Sequence, residues 1–151
     1  MSEGDAPELV TIPRSLVDEM VAHAREDLPN EACGIVHAKD GAPVTVHRVT
    51  NVAASPYRFE MHGMEQIRLE QARDENGETL FAIYHSHVAS RAYPSQTDVR
   101  MAFFPPGEVD QEPAYPGTLY ILVSLAEEPP PVHAYHILEG GVIEEQPIEI
   151  V

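Results

Sequence analysis

Leu16, Val17, Met20 and Val21 recur at i, i+1, i+4 and i+5, which gathers them on one face of a helix. Pro13 stands where such a helix can begin, because the N–H it lacks would be unpaired there anyway, and Leu28-Pro29 closes it. The spacing therefore predicts a helix over 13–28, preceded by a short strand from Glu8 to Ile12. Residues 32–38 and Val44 to Val49 read as a hairpin turning at Lys39-Asp40-Gly41, and Tyr57 to Met61 as a weaker strand. Met64, Ile67, Leu69 and Ala72 in a charged background predict a second amphipathic helix near 63–75, ended by Asn76-Gly77. Leu80 to His87 is strongly strand-like, and a third helix is expected near 95–104 until Pro105-Pro106 stops it. Thr118 to Leu125, Val132 to Leu138 and Val142 to Val151 form a last run of strands, with Gly140-Gly141 as a turn. The expected fold is α/β: a curved mixed sheet of about six to eight strands flanked by helices, in one domain spanning 1–151 without repeat or linker.

Composition narrows the partners. The chain has 151 residues, 43% of them hydrophobic, enough to bury a core. It carries 25 acids against 9 bases, a formal charge of -16. All nine bases lie at or before Arg100 and nine acids follow it, so the last third is uniformly negative. That balance repels phosphate backbones and anionic lipid, which makes nucleic acid and membrane surfaces poor partners. A protein partner docking on the last third is expected to offer it a basic or uncharged face. The single cysteine, Cys33, has no internal disulfide partner, and no signal-like or membrane-spanning apolar run is present, so the cytoplasm is the expected compartment. Seven of the 14 prolines fall between Pro105 and Pro131, where two surface loops are expected.

Candidate chemistry is concentrated in Phe81-Ala-Ile-Tyr-His85-Ser-His87 and in Pro94-Ser95-Gln-Thr-Asp98. Residues two apart on a strand point to one face, so His85 and His87 project together and Ser86 away. Two imidazoles and a returning carboxylate, Asp98, make three N and O ligands, the number that a catalytic zinc site uses while keeping a fourth position open. Composition alone yields about 0.4 His-x-His pairs in such a chain, and adding Ser95 and Asp98 at fixed offsets lowers the chance to the order of 0.001. Ser95-Gln-Thr-Asp98 also fits a capping box, a role compatible with metal binding.

The spacing His85-x-His87, seven residues, Ser95, two residues, Asp98, with Glu31 upstream before the apolar Ala-Cys-Gly-Ile-Val, resembles the JAMM motif of MPN+ metallopeptidases. The resemblance covers nearly the whole chain in element order and implies the MPN/JAB1 (cytidine-deaminase-like) fold. It implies Zn2+ held by His85, His87 and Asp98, Glu31 as general base and Ser95 as the residue that steadies the oxyanion. Val88 departs from the proline that many members carry after the second histidine. Ile83-Tyr-His-Ser-His and Ala92-Tyr-Pro-Ser-Gln-Thr-Asp-Val are most similar to the bacterial Mec-type branch, which removes a C-terminal cysteine from a ubiquitin-like sulfur-carrier protein during cysteine synthesis. The implied partner is such a carrier as substrate, and a homodimer is a fair expectation. Two other functions compete: an isopeptidase for another ubiquitin-like protein, and a non-catalytic MPN scaffold.

Other residues were weighed for chemistry. Cys33 lies within an apolar strand, where a lone cysteine packs as a small hydrophobe rather than acting as a nucleophile. His133 and His136, three apart on a strand, face opposite sides. His37 and His47 meet only if the hairpin register allows it. The loop from Pro105 to Gly117 is a candidate border of a site, against the plainer reading of a variable loop.

Overall fold

The computed structural model describes residues 8–151. Its centre is a six-stranded sheet in the order β3-β2-β4-β5-β6-β7. The elements run β1 (Val10–Ile12), α1 (Arg14–Glu26), β2 (Cys33–Lys39), β3 (Ala42–Val49), α2 (Gly63–Asn76), β4 (Thr79–His87), α3 (Gln96–Met101), β5 (Leu119–Ser124), β6 (Val132–Leu138), β7 (Val142–Gln146) and β8 (Ile148–Ile150). Within the six-stranded sheet, neighbouring strands are antiparallel except β4 and β5, which run parallel from Ala82 opposite Leu119 to His87 opposite Ser124. A parallel pair needs a crossover, and the stretch between these two strands carries α3 across the sheet. Strands β2 and β4 are buried over consecutive residues, as expected for a sheet covered on both faces.

Strand parity divides the core. Ala82 and Tyr84 face α1, where they pack with Ile12, Val17, Met20, Ile121 and Val123. Ile83 faces the other way, onto Ala102 and Phe103 beyond α3 and onto Tyr120 and Ile137. His85 and His87 continue the Ile83 series, so the sheet delivers both to the α3 side. Gly34 is paired with Tyr84, and a Cβ there would collide with the tyrosine ring, so glycine is what lets the ring cross the strand.

Most expected elements are present, and three are corrected. Tyr57 to Met61 is not a strand: the chain from 50 to 62 is a loop closed by one bridge between Asn51 and Met61. The stretch from Val142 to Val151 is broken at Pro147, and β8 leaves the main sheet to pair in parallel with β1. The third helix is shorter than expected, because it is a six-residue segment from Gln96 to Met101. Helix α2 forms as expected but buries none of its residues, and Leu69 alone of its apolar set packs on the core strip of Cys33, Ile35 and Val49. Among the described residues no helix is long and apolar enough to cross a membrane.

Candidate active site

The C-terminal end of β4, beside a parallel neighbour, is where open α/β sheets leave a crevice. His85 and His87 stand there, with 2% and 4% exposure. Asp98 reaches them from α3 because Ser95 caps that helix: the Asp98 N–H donates to Ser95 Oγ at 3.0 Å, and the Ser95 N–H donates to Asp98 Oδ2 at 2.9 Å. The capping box is thus formed, and the oxygen that closes it is the one that meets the histidines. His87 Nε2 is 3.0 Å and His85 Nε2 is 3.1 Å from Asp98 Oδ2. His85 Nε2 approaches without hydrogen-bond alignment, and both of its ring nitrogens are buried without a partner. His87 Nδ1 donates to the Arg91 carbonyl at 2.8 Å and Nε2 is hydrogen-bonded to Asp98 Oδ2, so loss of the Nε2 proton would leave that lone pair free for a metal ion.

These atoms fit a metal ion. Among the described residues, His85, His87 and Asp98 form a group whose ligand atoms all lie within 4.8 Å of one another. Ligands about 2.1 Å from one tetrahedral ion sit roughly 3.4 Å apart, close to the separations found. The donor set of two nitrogens and one oxygen suits zinc, and the partnerless His85 nitrogen marks an unmet coordination need.

Electrostatics follow from packing three ionisable groups in a dry corner. Burial raises the Asp98 carboxyl, but the nearby His85 imidazole and the hydrogen bonds from His87 and from the Ser95 N–H outweigh it and hold the group below the usual carboxylate range. Burial lowers His87, and its bonds to Asp98 and the Arg91 carbonyl more than reverse this, so the ring is held above its ordinary value. Glu31 is 3% exposed, and burial first, then the charge of Asp98, push its carboxyl up to about 8 against a smaller pull from His87. A cation among the histidines and Asp98 would draw Glu31 back down, toward a group that exchanges a proton at neutral pH.

Glu31 is placed by its backbone. It donates from its N–H to the Ser55 carbonyl at 2.9 Å, while Ala32 donates to Ser86 Oγ at 2.8 Å and accepts from the Ser86 N–H at 3.0 Å. Ser86 does face away from the histidines, as its parity requires, and it uses that position to lock the segment bearing Glu31 against β4. One cleft of about 410 Å3 is lined by Glu31, His87 and Ser95, with Pro56, Tyr57 and Val88 among its walls. Phe59 lies over His85 with ring centroids 4.6 Å apart. The loop after Pro105 contributes nothing to this lining; its Val109 carbonyl instead accepts from the Gly140 N–H. Asn51, Phe59 and Ser86 were not legible as site residues, since their parts depend on loop contacts that no spacing records.

Cys33 is fully buried, and burial pushes its thiol up to about 12, the reverse of an activated nucleophile. His133 and His136 pair separately, with Glu145 and Gln146. His37 and His47 do meet, with ring centroids 4.4 Å apart.

A family model for prokaryotic homologs of the JAB domain matches residues 13–137. The CysO-cysteine peptidase of Mycobacterium tuberculosis is 36% identical over 148 residues, covering 95% of this chain and 92% of that protein. The desampylase of Haloferax volcanii is 33% identical over 114 residues, 71% of this chain and 74% of its own length. The crystal structure of a JAB1/MPN domain protein from Archaeoglobus fulgidus superposes with a TM-score of 0.55 at 16% identity, covering 93% of this chain and 98% of that one.

Proposed function

Because the chain belongs to the family of prokaryotic homologs of the JAB domain, we propose that it is a zinc metallopeptidase that hydrolyses the peptide bond at the C terminus of a ubiquitin-like sulfur-carrier protein and so releases cysteine for cysteine biosynthesis. The observation that carries this reading is the convergence of His85 and His87 on one oxygen of Asp98, beside Glu31 and Ser95. The substrate is supported by the CysO-cysteine peptidase named above, which aligns over 95% of the chain. A lone free cysteine supports a reducing compartment such as the cytoplasm.

In this reading His85, His87 and Asp98 hold zinc, and Glu31 and Ser95 are catalytic. When bound, zinc supplies Lewis acidity at neutral pH. Glu31 carries the proton: its buried Oε1 has no protein partner, so it is free to take a proton from the attacking water and return it to the leaving amine. Ser95 Oγ accepts from the Asp98 N–H, which leaves its own hydroxyl hydrogen to donate to the scissile carbonyl oxygen as charge grows there. Pro56, Tyr57 and Val88 line the cleft beside these groups, where the substrate tail would lie.

The test is release of cysteine from a carrier–cysteine conjugate. A chelator and Glu31→Gln should each abolish it, with zinc restoring the first and not the second; undiminished release in either case sinks the proposal. The relation to the desampylase favours a second reading, cleavage of an isopeptide bond to lysine, and a carrier–lysine isopeptide offered alongside the cysteine conjugate separates the two by relative kcat/KM. A metal-free scaffold is excluded if protein purified without added zinc carries a stoichiometric ion that His85→Ala loses.

A further inference from the structure

We propose that Asn51 is a positioning residue that sets the backbone of Glu31 in register with the wall of the cleft. The inference rests on the peptidase reading above and deepens it.

The chain between Thr50 and His62 has no helix or strand to hold it, yet it carries Pro56 and Tyr57 into the cleft and Phe59 over His85. One amide organises it. Asn51 Nδ2 donates to the Glu31 carbonyl at 2.9 Å and to the Arg58 carbonyl at 3.2 Å. Asn51 Oδ1 accepts from the Ala53 N–H and the Glu60 N–H, both at 3.0 Å. Two donors and two acceptors are all that an asparagine side chain has, and each is used. The orientation is also forced, because only this way round does nitrogen meet carbonyls and oxygen meet N–H groups.

Glu31 is thereby held from both sides of its Cα. Its N–H goes to the Ser55 carbonyl and its C=O to Asn51, while the next residue is locked to Ser86 on β4. The amide that grips Glu31 also grips Arg58, next to Phe59, so the base and the residue covering His85 are tied to one group. A carboxylate on a flexible stem keeps a near-attack geometry only if its Cα is fixed, and a displacement of about 1 Å costs on the order of 100-fold in rate. No other side chain bonds both Glu31 and this loop in that way among the described residues.

The two halves of the amide separate by substitution. Asn51→Asp keeps both acceptors for Ala53 and Glu60 but has no donor for Glu31 or Arg58, whereas Asn51→Ala loses everything. Turnover of the carrier–cysteine conjugate is measured on zinc-loaded protein, and hydrogen exchange of the Ala53 and Glu60 amides on the same samples. The expected result is that Asn51→Asp retains protection at both amides and Asn51→Ala does not. Both should lose about 10- to 100-fold in kcat with KM changed by no more than about 3-fold and zinc still stoichiometric. Wild-type kcat in Asn51→Asp, a loss confined to KM, or a loss that tracks missing zinc would each overturn the inference. Should Asn51→Asp not fold, Asn51→Ser, whose single hydroxyl cannot reach both the Glu31 and Arg58 carbonyls, takes its place, and wild-type kcat there overturns the inference equally. Glu31→Gln in the same series keeps the two claims apart. If it is fully active the peptidase reading fails; if it is dead while Asn51→Asp is normal, the role of Asn51 alone falls.

Discussion

His85 and His87 sit two apart on one strand, whereas His37 and His47 come from adjacent strands, and each pair has a carboxylate against at least one of its rings. The outcomes diverge. In the first cluster both Nε2 atoms close on a single oxygen, at 3.0 and 3.1 Å. In the second the imidazoles lie tilted by 51°, Glu78 Oε1 is 3.4 Å from His37 Nδ1, and a guanidinium nitrogen of Arg73 is 3.3 Å from His37 Nε2. A fixed cation therefore occupies the side from which an ion would bind. The protonation preferences are opposite too: Asp98 is held ionised and His87 is raised, while burial first, then His47 and Arg73, lower His37 to about 4, and burial chiefly lowers His47. Two histidines and an acid do not make a metal site. The first cluster differs in that its Nε2 and Oδ2 atoms converge with no arginine among them, which is what fits it to a metal ion.

The largest expected effect tests that distinction directly. His85→Ala should lose the ion and reduce turnover by more than the roughly 100-fold typical of a supporting contact outside the coordination shell. His37→Ala should leave both metal content and kcat near wild type. Metal analysis and turnover of the two variants side by side check this, and loss of the ion from His37→Ala would erase the contrast.

A smaller effect asks what the capped helix adds to the first cluster, since Glu78 of the second merely follows the left-handed Gly77 at the end of α2. Ser95→Ala removes the N-cap, worth about 1 kcal/mol of stability, and the proposed donor to the oxyanion, worth about 3 kcal/mol or on the order of 100-fold in kcat. Ser95→Asp restores a cap but not a donor. It should recover the thermal midpoint and leave kcat depressed; joint recovery would mean that Ser95 acts only through the helix.

How much of this contrast the sequence carries depends on whether the cause is periodic. Strand parity and the offset to Asp98 are periodic or local, so the first cluster was readable without coordinates, and so were three helices and most strands. What fails to show is set by remote partners. Nothing near Tyr57 reveals that its alternating neighbours hang from Asn51 rather than from another strand. The apolar alternation of Val142 to Val151 is real, but Pro147 removes a ladder donor, and the far end of the chain finds β1 as its partner. Ser86 reads as a residue pointing away from the chemistry, and its hydroxyl turns out to hold the backbone next to Glu31. The meeting of His37 and His47 depended on a register shift between His37 and Ala38 that no local signal announces.

The smallest effect concerns stability and belongs to the second cluster. His37 is fully buried, and its folded-state value of about 4 lies below the ordinary 6.5. Between those values the unfolded chain binds a proton that the folded chain refuses, so unfolding takes up protons and stability rises with pH. The contribution is complete above pH 6.5 and is lost as pH falls toward 4, amounting to about 2 kcal/mol at pH 5 relative to pH 8. His47 is shifted the same way and adds to the slope. Urea unfolding of the wild type and of His37→Gln, each at pH 8 and pH 5, isolates this contribution from the opposite one of Glu31 and His87: on acidification the wild type should lose about 2 kcal/mol relative to the variant, which cannot be protonated there and should conserve turnover at pH 8. The acids nearest the ring do not reverse the sign, because Glu78 raises His37 by less than burial, His47 and Arg73 lower it. A wild type that loses no more stability on acidification than His37→Gln would show that the second cluster accepts charge as readily as the first, and the contrast between them would then rest on geometry alone.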